Sequence, residues 1–334
     1  MSPPVTRRQL LGSGAFTGAS LGALAFGLPR LAALLPRRDA VPALWVGDVG
    51  AGELVLLRAD LSVAVRHTVP GLRRLFGTTR RGVLAARSAG AGHELLELPG
   101  PGAGEDGGRV FPCDEAIQDA VPLAGGALLA LTDGHDIRLF GAPPPRESGL
   151  HLQGMQCLHT FASGPIASGR SRLLRFRLGT KPGILGMHRP GGVIRSSAAN
   201  ERGLYLLATR DGDSELSFVD RYLRRMFAVR LPGKAQALSV DGFGNAWTIL
   251  GDPPRLARIS GTGRIEVGSA HELPRGAHRL AWFEETLFVG LWGAVVSFPA
   301  LNLIAREVIT PFALQRPVGS RGGFARVGGL VEVV

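Results

Sequence analysis

Three small groups of side chains in this 334-residue chain have the types and spacing for chemistry. His271-Glu272, followed by His278, brings two imidazoles and a carboxylate within reach of each other. Such a set could move a proton or steady a metal during an elimination or a hydrolysis. Thr132-Asp133-Gly134-His135-Asp136 is the second group; Asp133, His135 and Asp136 would offer oxygen and nitrogen donors to one divalent cation. Cys113 and Cys157, the only cysteines, are the third and could form a disulfide. Each has a plainer reading. Asp-Gly pairs are what tight hairpin turns require, a His and a Glu in a loop are often just solvated, and two cysteines can stay separate thiols.

Several chemistries lack their motifs. There is no Cys-x-x-Cys, no His-x-x-x-His on a helical pattern, no Gly-x-Ser-x-Gly and no phosphate-binding loop.

The elements that must position these groups are short strands. Leu238–Glu266 reads LSVD, GFGN, AWTIL, GDPP, RLARI, SGTG: runs of four to six apolar or alternating residues cut by turn clusters. The unit recurs. Its second strand is marked by Leu44-Trp45-Val46, Val83-Leu84-Ala85, Leu128-Leu129-Ala130, Leu173-Leu174, Leu204-Tyr205-Leu206, Ala246-Trp247-Thr248 and Leu287-Phe288-Val289. The steps between first residues are 39, 45, 45, 31, 42 and 41. Four short strands every 40 residues or so is the signature of a β-propeller blade. A single twisted blade cannot bury both faces, so blades must stack in a ring. Seven markers predict an all-β propeller of seven blades. The Arg-rich unit at Leu173 breaks the rhythm, so six or eight are alternative counts. Gly329–Val334 reads as a strand that pairs with the Trp45 unit and closes the ring, removing a free edge. Trp247 and Trp282 are expected to pack between blades.

The best unit carries Asp241, Gly244, Asn245 and Trp247, then Arg258, Ile259, Gly263 and Ile265. This D-x-x-G-N-x-W pattern resembles NHL-type repeats and the propeller of virginiamycin B lyase-like proteins. The resemblance implies the fold; in the lyase-like proteins His and Glu on one loop face carry metal-assisted elimination, but their arrangement is not matched residue by residue here.

In such a ring, the loops joining second to third strands and one blade to the next share a face around the channel. Asp48, Glu53, His93, Asp133, His135, Asp136, Asp211, Asp213 and Asp252 fall in the first kind of loop. Arg73, Asp114, Glu115, Gln118, His159, Lys234, Gln236, Glu272 and His278 fall in the second. The expectation is a polar pocket built from these, with one divalent metal ion as the cofactor if the enzymatic reading holds.

The N-terminus has its own message. Thr6-Arg7-Arg8-Gln9-Leu10-Leu11 leads into a stretch rich in Gly, Ala and Leu; Gln9–Pro29 carries no charge. This resembles a twin-arginine export signal, with Arg7 and Arg8 as its pair. A membrane anchor is the alternative, since 21 uncharged residues nearly span a bilayer of about 30 Å. Residues 1–40 are therefore set apart as signal or anchor plus linker, and residues 41–334 as the propeller. A periplasmic or exported location follows; the alternative is a membrane-anchored protein facing outside the cytoplasm, and an uncleaved N-terminal segment is the only membrane contact expected.

The formal charge of +11 does not point to nucleic acid. Among the 38 basic residues, Lys181 and Lys234 are the only lysines. The arginines are spread over most of the repeat rather than gathered in one run. They suit a solvated surface, or a basic face toward anionic lipid, cell-wall polymer or an acidic partner. Three readings follow: a binding or scaffolding module for a protein, polymer or small-molecule ligand; a metal-dependent lyase or lactonase-like hydrolase; and an accessory subunit of an exported redox complex.

Overall fold

The structure is a computed structural model that describes residues 42–332, apart from 59–60, 80–81, 101–107, 142–145, 180, 284–285, 292–293, 300–311 and 314–326. Arg7, Arg8 and the uncharged stretch after them lie outside the described residues.

The described chain forms seven four-stranded antiparallel sheets, the blades of a propeller. Blade 6 shows the pattern: Ala235–Val240, Ala246–Leu250, Arg255–Ile259 and Ile265–Glu272 pair in sequence order. First strands of successive blades neighbour one another, those of blades 4 and 5 through His159 and Ser197, and ring the channel. They are Leu72–Thr78, Ile117–Pro122, Met155–His159, Val193–Asn200, Ala235–Val240 and Arg279–Phe283 for blades 2 to 7. Blade 1 is completed by the C-terminal strand Val327–Glu332, which pairs with Pro42–Asp48 so that Trp45 faces Val331 and Val46 faces Leu330. The predicted closure of the ring is thus found.

Second strands read as unbroken apolar runs because both their faces are covered. Alternate side chains go to opposite neighbours. Leu44 and Val46 pack with Ala281, Phe288 and Val295 of blade 7, while Trp45 packs with Leu72, Val83 and Ala85 of blade 2. One apolar cluster fills each of the seven gaps between blades. In the gap between blades 6 and 7, Trp247 stacks on Trp282 with ring centroids 5.4 Å apart.

Blade 4 corrects the repeat marker. Its second strand is Ile166–Gly169; Leu173–Arg177 is the third. IASG is small and weakly apolar, so the stronger LLRF run stands out in sequence, yet all four residues of IASG are buried. Counted from Ile166, the steps from Leu128 and to Leu204 are both 38, and the irregular 45 and 31 disappear.

The motif around Asp241 is a turn staple. Asp241 is 5% exposed. Its Oδ1 accepts from the backbone N–H of Phe243 and Asn245, and its Oδ2 accepts from Asn245 Nδ2 and Trp247 Nε1, all at 2.8–2.9 Å. Gly244, at φ 84°, supplies the left-handed position in this turn. Its carbonyl accepts from Tyr205 Oη of blade 5 at 2.6 Å. Asn245 therefore serves the turn.

Candidate functional site

The starts of the first strands open into a cavity of about 1900 Å³ at one mouth of the channel, lined by residues of all seven blades. The face is the one expected: Arg73, Gln118, Lys234, Gln236, Asp252 and His278 of the loop residues reach it.

The geometry of the mouth comes from a repeated irregularity. In a regular strand, consecutive side chains point to opposite faces. Here the first strands of six blades carry one residue more than their partner near their start: Gly328, Arg73, Gln118, Gln156, Arg195 and Ala237. Each is a β-bulge, which bends the strand and re-aims a side chain. The signature is that neighbours in sequence line the cavity together: Arg73 with Arg74, Gln118 with Asp119, Gln156 with Cys157, Gln236 with Ala237. Blade 7 has no such bulge and contributes Arg275, His278 and Arg279.

The mouth is strongly basic. Arg73, Arg74, Arg195, Lys234, Arg275 and Arg279 line it, against the carboxylates Asp119 and Asp252. Two of the cations are tethered: Arg73 Nε donates to Ser88 Oγ at 2.9 Å and Arg74 Nη1 to the Gln118 carbonyl at 2.7 Å. The side chains of Arg195, Lys234, Arg275 and Arg279 take no partner among the described residues and are exposed. Gln118 Oε1 is buried without a hydrogen-bond partner there. Like charges held around one concavity raise the local potential and draw in anions.

Asp119 links blades 3 and 4. Its Oδ1 accepts from the Ala120 amide at 2.9 Å and its Oδ2 from the Leu158 amide at 2.6 Å. Burial nevertheless pushes its carboxyl up to about 7, against those two donors and the nearby Arg74 charge. Beside it, burial and the Asp119 charge push the Cys157 thiol up to about 12. At the far end of the same strand, His159 Nε2 lies 3.3 Å from Ser168 Oγ and 3.0 Å from Ser197 Oγ of blade 5. Burial lowers its pKa to about 4, so the ring there is neutral at neutral pH.

The other sequence candidates fall elsewhere. Glu272 ends the fourth strand of blade 6, is exposed, and pairs across the ladder with Arg255. His271 lies on that same strand, whereas His278 lines the mouth with its Nδ1 3.0 Å from the Gly276 carbonyl. The fourth strand is the outermost of its blade, so the three are split between rim and channel.

In the Thr132–Asp136 turn, Thr132 Oγ1 accepts from the Asp136 amide at 3.1 Å and Asp133 is exposed at the tip. Asp136 Oδ1 meets His151 Nδ1 at 3.1 Å, and the His135 and His151 rings meet edge-on at 6.0 Å. His151 comes from the fourth strand of that blade and carried no signal in sequence. No group of three or more His, Cys, Asp or Glu suited to a metal ion occurs among the described residues.

Cys113 and Cys157 are separate thiols, not a disulfide. Their spacing of 44 residues is nearly one repeat, which alone would put them at equivalent places in adjacent blades. Cys113 instead ends the fourth strand of blade 2, while Cys157 sits on the first strand of blade 4. With one blade skipped and opposite edges occupied, the pair cannot come within the roughly 7 Å that a bridge needs.

The sequence matches no family model and no curated protein. Among solved structures, the chain resembles apo AztD from Citrobacter koseri at 14% identity, with a TM-score of 0.58 over 88% of this chain and 98% of that one. It resembles virginiamycin B lyase from Staphylococcus aureus at 11% identity, with a TM-score of 0.53 over 73% of this chain and 85% of the lyase. A functionally unknown protein from Desulfotomaculum acetoxidans aligns with a TM-score of 0.62 at 11% identity, over 87% of this chain and 99% of that one. The likeness is one of fold alone. The chain is a seven-bladed β-propeller, with the seven blades that the repeat markers predicted.

Proposed function

We propose that this chain is an exported binding protein whose binding face is the channel mouth. The observation that carries the reading is the cavity of about 1900 Å³, to which every blade contributes and in which Arg195, Lys234, Arg275 and Arg279 remain without partners among the described residues. Propellers host both binding and catalysis, so the fold cannot choose. What favours binding over a metal-dependent lyase or hydrolase is the separation of Glu272 from His278. Export rests on Thr6-Arg7-Arg8 and the uncharged stretch that follows.

Two experiments test the two halves. For binding, the mature chain is screened by thermal shift against organic acids, phosphates, sugars and peptides, beside the triple variant Gln156→Trp, Arg195→Glu, Gln236→Trp, which crowds the mouth from three blades and reverses a charge there. The expected result is a ligand whose stabilisation is lost in the variant. If every stabilising compound acts equally on both proteins, the mouth is not the binding face. For export, changing both Arg7 and Arg8 to Lys should hold the protein in the cytoplasm; unchanged export would remove the twin-arginine reading.

A further inference from the structure

We infer that the ligand of the channel mouth is an acidic oligosaccharide, one that carries carboxylate or phosphate groups beside hydroxyls; the inference rests on the channel mouth being the binding face. The bulged residues of blades 2 to 5 read, in ring order, Arg73, Gln118, Gln156, Arg195. Two guanidinium groups flank two carboxamides. Guanidinium forks match carboxylate and phosphate oxygens. A carboxamide is both donor and acceptor, as a sugar hydroxyl is. The carboxamide oxygens of Gln156 and Gln236, which line the cavity, can accept from a donor of the kind that a hydroxyl supplies. A bare inorganic anion offers none once it is fully ionised.

The opposite side of the mouth adds Lys234, Arg275 and Arg279. Cations are thus distributed around the ring rather than gathered at one point, which suits charges repeated along an extended ligand. Size agrees: the cavity of about 1900 Å³ exceeds the roughly 300–1,000 Å³ of a site for one drug-sized molecule. The bulges make this arrangement specific, since a regular strand would turn one residue of each adjacent pair away from the channel.

The test is calorimetric titration of the mature chain with trigalacturonate, maltotriose carrying phosphate monoesters, neutral maltotriose and inorganic pyrophosphate. Trigalacturonate or the phosphorylated maltotriose should bind, and which of them does tells carboxylate from phosphate. Maltotriose and pyrophosphate should bind at least tenfold more weakly. Arg73→Gln and Arg195→Gln should each weaken the acidic sugar about tenfold, in line with one lost charge-assisted hydrogen bond, and raising salt should weaken it further. Equal binding of maltotriose would overturn the part of the inference that rests on charge. Equal binding of pyrophosphate would overturn the part that rests on hydroxyls. If none of the four binds while the thermal-shift screen finds a mouth-dependent ligand of another class, this inference fails and the binding face stands. If the screen also finds no mouth-dependent ligand, both fail.

Discussion

The two ends of the first strand of blade 6 are built on opposite rules. At the far end, Asp241 gathers four donors, and Tyr205 of the next blade reaches over to Gly244. At the mouth, the same strand carries a bulge at Ala237, and Lys234 just ahead of it takes no side-chain partner among the described residues. Blade 4 shows the same contrast: His159 is bonded among serines at one end of its first strand, and Gln156 faces the cavity at the other. Polar groups bonded internally hold the blades in place. Polar groups left open at a concave, basic mouth are available to something else. The ring therefore separates what stabilises it from what it offers.

The largest expected effect comes from breaking the stable end. Asp241→Ala strips the acceptor from Trp247 Nε1 and from both donors of Asn245. Leaving these buried groups unpaired should cost roughly 3 kcal/mol or more. For a domain of this size, that is a fall in melting temperature of about 6–12 °C, read by calorimetry. Ligand affinity in the surviving folded protein should be unchanged. A parallel loss of binding would mean that the two ends are coupled.

The converse variant sharpens the comparison from the other side. Arg73→Gln combined with Arg195→Gln removes two exposed cations, and surface changes of this kind usually stay within about 0.5 kcal/mol each. The melting temperature should move by only a few degrees at most, while affinity for the acidic ligand collapses. A large fall in stability would show that the bulged arginines belong to the scaffold.

Asp119 stands between the two regimes, and its response to pH is a smaller, graded test. Its folded value of about 7 lies above the ordinary 3.8, so the folded state holds the proton more tightly than the unfolded chain. Its contribution to stability is fully present below about 4, declines as pH rises from there toward about 7, and is flat above. Asp119→Asn should flatten that segment of the stability profile, measured by denaturant unfolding at each pH. An unchanged slope would put the titration elsewhere. Protonation also removes a negative charge from the basic mouth, so anion binding should tighten as pH falls through about 7.

The smallest effect concerns the thiols. Cys157, pushed up to about 12, and the buried Cys113, also raised by burial, should react slowly with an alkylating reagent at neutral pH. Unfolding in denaturant without reductant should release two reactive thiols per chain. Fewer than two would indicate a bond that the separated positions do not allow.

Much of the fold was legible because burial writes a pattern. Central strands covered on both faces must be apolar or bond their polar groups internally: LWV, LLAL, LYLLA and LFVG are apolar throughout, and in AWTIL the buried Thr248 donates to the Ala237 carbonyl. Where a central strand is built from small residues, as in IASG of blade 4, the pattern fades and the neighbouring LLRF run takes its place. The candidate site was legible as a face but not as a set of residues. Arg73, Gln118, Lys234, Gln236, Asp252 and His278 were placed on the correct side by loop topology. Arg195 and Gln156 were not singled out, because a bulge leaves no mark in a single sequence: it arises from how two strands pair. His151 was missed for the same reason, since it meets Asp136 only across a ladder.

By itself, then, the sequence determined the architecture: seven units of short strands, a C-terminal strand that closes the ring, and a turn whose Asp241, Asn245 and Trp247 bond locally. These follow from solvation and local geometry, which act along the chain. The tertiary structure alone decided which polar residues meet. It parted Cys113 from Cys157, split Glu272 from His278, and turned successive bulged side chains into one basic mouth. Those outcomes depend on register and on the stacking of whole blades, and no spacing along the chain encodes either one.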